Sequence, residues 1–256
     1  AALWQRHALG GQLVPVPPRD ALSLDDLLGI ERQKRALVDN TRAFLRGYPA
    51  NHALLWGARG SGKSSLVRAL LNGLAPEGLR LVQVDRHDLA GLPSLVAQLR
   101  NEPHRFVVYC DDLSFEGNDD AYKALKSVLD GAITGPPDNV LLYATSNRRH
   151  LLPESMSDNQ ETRVVNDELH HGDAVEEKIS LSDRFGLWLA FHPFSQDAYL
   201  ETCQHWIAHL GAAEDWSPEA RAEAVRFATL RGGRSGRIAW QFACQWVGNR
   251  RLQADT

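Results

Sequence analysis

The chain has 256 residues, 43% hydrophobic and 23% charged, enough to bury a large core in one domain or two. A formal net charge of −4 excludes a nucleic-acid binder that works by bulk basicity, although Arg148-Arg149-His150 and Arg231 through Arg237 are local basic clusters. No apolar run approaches the roughly 18 residues of a membrane span, and residues 1–11 lack the layout of a signal peptide. Cys110, Cys203 and Cys244 lie in apolar stretches without CxxC spacing, so buried thiols in a cytoplasmic protein are expected.

Pro15, Pro17 and Pro18 preclude helix over residues 1–22 and predict an extended arm. Its Trp4 and Leu9 would dock on a neighbouring subunit or on a region preceding the chain. Ser23-Leu24-Asp25-Asp26 matches a capping box and predicts a short helix over Leu24, Leu27 and Leu28, ended by Gly29. A longer helix begins at Ile30, with Leu37, Thr41, Phe44 and Leu45 on one face.

Ala53-Leu54-Leu55-Trp56 reads as a buried strand, and Ser65 to Leu71 as a helix. Between them, Gly57-Ala58-Arg59-Gly60-Ser61-Gly62-Lys63-Ser64 fits the phosphate-loop pattern G-x-x-x-x-G-K-[ST] throughout. Glycines allow φ > 0 and close approach of a phosphate to the backbone, and the helix N-terminus adds partial positive charge. Lys63 is placed to reach the β- and γ-phosphates and Ser64 to ligate Mg²⁺, with Ser65 completing the nucleotide-binding run.

Strands are predicted at Leu79–Asp85, Phe106–Cys110, Val140–Thr145 and Leu187–Phe191. Helices are predicted over Leu92–Leu99 and after a cap at Asp119 or Asp120, the latter burying Tyr122, Leu125, Val128 and Leu129. Alternating strands and helices imply a parallel sheet covered on both faces. Residues 153–180 are polar and predict a surface excursion. His170-His171, near Glu168 and Asp173, is a weak metal candidate without ligand spacing. After Pro193 the pattern is helical only: Ser195 caps one helix, Ser217-Pro218 opens a second, and Ile238, Phe242 and Trp246 stripe a third. The expected organisation is an arm over 1–22, an α/β nucleotide-binding domain over 23–193 and a helical domain over 194–256.

The apolar strand that ends in Asp111-Asp112 supplies carboxylates to the phosphate loop. Asp111 is assigned to Mg²⁺ and Asp112 to the base that orients or deprotonates an attacking water. Asn147, at the end of the next strand, is placed to hydrogen-bond that water or the γ-phosphate. Arg184 and Arg237, taken singly, read as solvated charges.

The order of these parts resembles the AAA+ ATPases over residues 23–250. Leu28-Gly29-Ile30-Glu31-Arg32-Gln33 resembles their adenine-contacting segment, Gly57 to Ser64 Walker A, and Phe106 to Asp112 Walker B. Ala144-Thr145-Ser146-Asn147-Arg148 resembles sensor 1, with Ser146 the alternative to Asn147. Ser182-Asp183-Arg184-Phe185-Gly186 resembles the arginine-finger box and Arg234 to Ala239 sensor 2. More narrowly, phrases such as LLWGARGSGKSSLVRALL and ATSNRRHLLPE resemble a bacterial AAA+ family of undefined function, with motif similarity to replication initiators and helicase loaders. The resemblance implies a three-layer P-loop domain followed by a three-helix lid. It makes Arg184 a finger for a neighbour's γ-phosphate and Arg237 a lid contact to the chain's own nucleotide. It implies ATP/ADP and Mg²⁺ as cofactors, a homo-oligomer assembled through Arg184 and the lid, and a protein or nucleic-acid client. Many members carry Asp-Glu where this chain has Asp111-Asp112, which keeps a slow-turnover ATP-gated adaptor as the alternative. A P-loop kinase has less support, because it needs neither finger nor lid.

Overall fold

The computed structural model describes residues 1–7, 10–17, 22–115, 120–131, 137–147, 163–165, 168–170 and 181–255. Asp119, Arg148 and most of the expected 153–180 excursion, including His171 and Asp173, lie outside them.

The strands are β1 (Ala2–His7), β2 (Gly10–Pro15), β3 (Ala53–Gly57), β4 (Leu79–Val84), β5 (Arg105–Cys110), β6 (Val140–Ser146), the short pair β7 (Arg163–Val165) and β8 (Glu168–His170), and β9 (Leu187–Phe191). The helices are α1 (Glu31–Leu45), α2 (Lys63–Leu74), α3 (Leu92–Arg100), α4 (Asp120–Asp130), α5 (Gln196–His209), α6 (Pro218–Leu230) and α7 (Gly236–Ala254). Seven strands form one sheet in the order β2-β1-β4-β5-β6-β3-β9. Its pairs are parallel except β1–β2, and β7–β8 stand apart as an antiparallel pair.

The central strands are apolar throughout because both faces are covered. On β5, Phe106, Val108 and Cys110 face a core shared with Leu92, Leu95 and Leu99 of α3 and Leu125 of α4. The alternating Val107 and Tyr109 face a second core with Leu37 and Phe44 of α1 and Leu66 and Leu70 of α2. This is the expected three-layer α/β architecture. The last three helices enclose a core of their own around Tyr199, Cys203, Phe242 and Val247. Serines open all three: Ser195, Ser217 and Ser235 each accept a bond from the amide three residues on.

Several expectations are corrected. The extended arm is a β-hairpin that joins the chain's own sheet, with β1 parallel to β4. Trp4 is 1% exposed in the core above α3, so its docking partner is this chain. The capping box at Ser23 closes a turn and starts no helix. Ser23 N donates to Asp26 Oδ2 at 2.7 Å, one half of the box, but Ser23 Oγ accepts from Asp25 N at 3.2 Å, one residue short of the amide that a capping box would use. The chain then leaves the turn without regular structure and takes a left-handed conformation at Gly29, φ 74°, before α1. Cys110 and Cys203 are buried as expected, whereas Cys244 is exposed on α7.

His52, just before β3, accepts a bond from Leu142 N of β6 at Nδ1, at 3.0 Å. Burial pushes its pKa from 6.5 down to about 4, so the folded state holds it neutral. Its contribution to stability is complete above pH 6.5 and is lost as pH falls from there towards about 4. The urea midpoint should fall across that window, and less steeply in His52→Asn, which keeps an acceptor that does not titrate. Trp4→Ala should cost about 3–5 kcal/mol in urea unfolding. A loss below about 1 kcal/mol would show that the hairpin is not part of the cooperative core.

Candidate functional site

The phosphate loop leaves the carboxyl end of β3 and enters α2. Three glycines in it take left-handed backbone: Gly57 (φ 131°), Gly60 (φ 73°) and Gly62 (φ 102°). Their lack of a side chain is also used in packing. A Cβ on Gly57 would lie 2.0 Å from Phe191 O, and one on Gly60 would lie 2.8 Å from Ser235 Oγ. The loop is thus pressed between β9 and the start of α7, with Arg237 N donating to Gly60 O at 3.3 Å.

Lys63 begins α2 and is 6% exposed. Its Nζ donates to Gly57 O at 2.9 Å, Ala58 O at 2.8 Å and Asn147 Oδ1 at 3.2 Å. Burial lowers its pKa, Asp112 and Asp111 oppose the shift, and Arg237 and Arg59 add to it.

Asp111 comes directly after β5. Its Oδ1 accepts from Ser64 Oγ at 2.8 Å, Tyr109 Oη at 2.7 Å and Thr145 Oγ1 at 2.6 Å. Burial raises its pKa, but bonds from Thr145, Tyr109, Ser64 and the Asp112 amide outweigh burial and hold it below the usual carboxylate value. Asp112 has φ 51°, and among the described residues it alone of the non-glycines has positive φ. That turn points its carboxylate to Asn147, whose Nδ2 donates to Oδ1 at 2.5 Å.

The two sensor candidates occupy different places. Asn147 faces the cleft and bonds both Lys63 and Asp112, while Ser146 is fully buried and donates to Leu113 O at 2.8 Å.

Lys63, Ser64, Asp111, Asp112 and Asn147 line a cleft of about 910 Å³ with Leu28, Ile30, Arg59, Gly60, Ser61, Gly62, Ser65 and Arg237, whereas Gly57 and Ala58 of the expected nucleotide-binding run do not line it. Gly29 shapes the turn beside it without lining it. Arg184 is elsewhere. It precedes β9 at that strand's amino-terminal end, and β9 runs parallel to β3 with Leu187 opposite Ala53. The phosphate loop leaves the other end of β3, about 16 Å away along five strand residues. There Arg184 pairs with Asp130 at the end of α4.

Sequence reasoning missed several groups that line the cleft or stand behind it. Thr145 and Tyr109 complete the shell of Asp111, and strand alternation could have found Tyr109, two residues before it. Trp206 of α5 and Trp240 of α7 meet edge to face at 4.9 Å and line the far side of the cleft. Trp240 lies one turn beyond Arg237, a spacing that puts both on one helix face. Asp26 and His209 also line the cleft, and no local pattern brings them together.

Comparison with solved structures finds the same fold at low identity. The Aeropyrum pernix ORC1 protein, in complex with DNA, aligns with a TM-score of 0.58 and 17% identity, over 88% of this chain and 61% of that one. A point variant of RuvB from Thermotoga maritima gives 0.53 and 19%, over 88% and 64%. A DNA replication initiation factor gives 0.52 and 14%, over 91% and 64%. This chain therefore spans under two thirds of each of these three proteins. The fold is that of the AAA+ P-loop domains. No curated protein matches the chain. One family profile matches residues 1–250, almost the whole chain, and the chain belongs to that family, described as "Protein of unknown function (DUF815)".

Proposed function

We propose that this chain is a magnesium-dependent ATPase whose turnover requires assembly, and that it drives remodelling or loading of a protein or nucleic-acid client. The observation that carries the reading is the convergence of Lys63, the Ser64–Asp111 pair and the Asp112–Asn147 pair on one cleft. Ser64 Oγ and Asp111 Oδ1, hard oxygen donors 2.8 Å apart beside a glycine cradle, suit a magnesium ion held directly by the hydroxyl and through water by the carboxylate. Magnesium supplies neutralisation of phosphate charge when bound.

The protein's own groups do the rest. Lys63 exchanges its carbonyl acceptors for phosphate oxygens. Asp112 accepts the proton of an attacking water, and Asn147 fixes the water's position and senses the γ-phosphate. Arg237 and Ser235, at the start of α7 over Gly60, couple the helical unit, acting as a lid, to the bound nucleotide. Leu28 and Ile30 frame the base. Arg184 is too far along β9 to serve its own phosphate loop, which supports donation to a neighbour's site.

A second reading draws support from the 2.5 Å bond between Asn147 and Asp112. That bond occupies the base, as suits an adaptor that binds ATP, recruits a partner and turns over rarely. Single-turnover hydrolysis at saturating protein separates the two, and fewer than about one event per hour favours the adaptor.

Lys63→Ala should weaken ATP binding by about a hundredfold or more, since each charge-assisted bond is worth about 1.5–3 kcal/mol. Undiminished affinity by calorimetry would refute the cleft as the nucleotide site. Arg184→Ala should leave ATP affinity unchanged and lower assembled turnover by about 10³–10⁵. Mixing it with Lys63→Ala should restore activity, because one variant keeps the site and the other keeps the finger. Unchanged turnover in Arg184→Ala alone would refute the finger.

A further inference from the structure

At the cleft rim, apart from the phosphate-binding groups, Asp26, His205 and His209 bring one carboxylate oxygen and two imidazole nitrogens within 4.8 Å of one another. His205 Nε2 lies 3.1 Å and His209 Nδ1 3.7 Å from Asp26 Oδ1. We propose that these three residues form a zinc-class metal site that clips the 22–30 segment to helix α5.

Three independent features of the cluster support it. The first is spacing. Two ligands on a tetrahedral zinc with bonds of about 2.0–2.1 Å sit about 3.3 Å apart; the two separations from Asp26 Oδ1, 3.1 and 3.7 Å, bracket that value, and the two imidazole nitrogens lie within 4.8 Å of each other. The second is the donor set. Two imidazoles and a carboxylate suit zinc, nickel, cobalt or copper, whereas magnesium and calcium prefer oxygen alone. The histidines are four apart on one helix, so a single turn of α5 presents both to the same point. The third is support behind the ligands. Asp26 is buried, and its second oxygen is already fixed by the Ser23 amide at 2.7 Å.

The histidine side chains are 29% and 45% exposed, which leaves an entry path and room for water as the fourth ligand. Without metal, His205 hydrogen-bonds the Asp26 carboxylate and His209 stands beside it. The turn at Ser23 explains why the site forms: its bonds hold Asp26 facing α5. A bound ion would tether two segments that flank the cleft and are distant in sequence. This inference does not depend on what the cleft binds.

The test uses the full chain without nucleotide. Calorimetric titration with zinc at neutral pH should show one equivalent bound, and cobalt should give the intense visible absorption of a tetrahedral ion. His209→Ala should weaken zinc binding about tenfold or more, and His205→Ala combined with Asp26→Asn should abolish it. Excess magnesium should not compete. His209→Gln, at an exposed position, controls for folding through an unchanged circular dichroism spectrum. No zinc binding by the wild-type chain, or equal binding by the wild type and the His205→Ala/His209→Ala double variant, would overturn the proposal. Lys63→Ala should bind zinc normally, which separates this site from the phosphate loop.

Discussion

One carboxylate oxygen ties the candidate site to the sheet. Asp111 Oδ1 receives hydroxyl protons from α2, β5 and β6, through Ser64, Tyr109 and Thr145. It can accept from all of them because it is charged; a protonated carboxyl would lose acceptor capacity and strand a buried hydroxyl. The arrangement rests on strand register. β5 pairs with β6 so that Cys110 stands opposite Ala144, and the next residue on each strand is then Asp111 and Thr145. A slip of one residue would turn Thr145 to the other face and leave Asp111 without its shortest partner. The apolar runs that fix this register are therefore also what places the chemistry.

The sheet domain was legible in the sequence because its signals are local. Glycine spacing, the run from Phe106 to Cys110 and the aspartates after it depend on neighbours within a few residues. The parallel core is implied once strands and helices alternate. Three features were not legible for the opposite reason. The Ser23 capping box keeps its Asp26 carboxylate bond, but the Ser23 hydroxyl takes the Asp25 amide, because this chemistry fits a turn as well as a helix. The N-terminal hairpin depends on Trp4 finding a pocket near Gly91, more than eighty residues away, where a Cβ on Gly91 would lie 3.1 Å from Trp4 Nε1. Proline signals excluded a helix there but could not say which surface the strand would join. Cys244 lies in an apolar-looking stretch, yet α7 is long enough that its faces divide between core and solvent, and periodicity places it on the far side of the helix from the buried Phe242.

The helical unit meets the sheet at the phosphate loop. Phe194 N donates to Arg234 O at 3.3 Å and Arg237 N to Gly60 O at the same distance, so both ends of the crossing are tied by backbone. Gly60 has little room for any side chain because Ser235 and Arg237 already occupy the space. Movement of α7 and movement of the loop are therefore mechanically linked. That link lies in the backbone itself and needs no contact from a nucleotide to exist.

The two adjacent aspartates illustrate how the backbone separates their surroundings. Neighbouring carboxylates in an extended strand would already point to opposite faces, and one would be lost to the core. The chain instead leaves β5 through φ 51° at Asp112, a conformation that aspartate tolerates better than most non-glycine residues. The Asp112 amide then donates to Thr145 Oγ1 at 2.8 Å, the same hydroxyl that serves Asp111. Thr145 thus accepts from one aspartate's backbone and donates to the other's side chain, fixing the angle between them. Asp111 is left committed to buried hydroxyls, and Asp112 is aimed at Asn147 and the open cleft. A glutamate in place of Asp112 would reach one methylene farther and displace Asn147 from its present bond. The shorter side chain therefore matches the position of Asn147 in this chain, and the two side chains form one hydrogen-bonded unit.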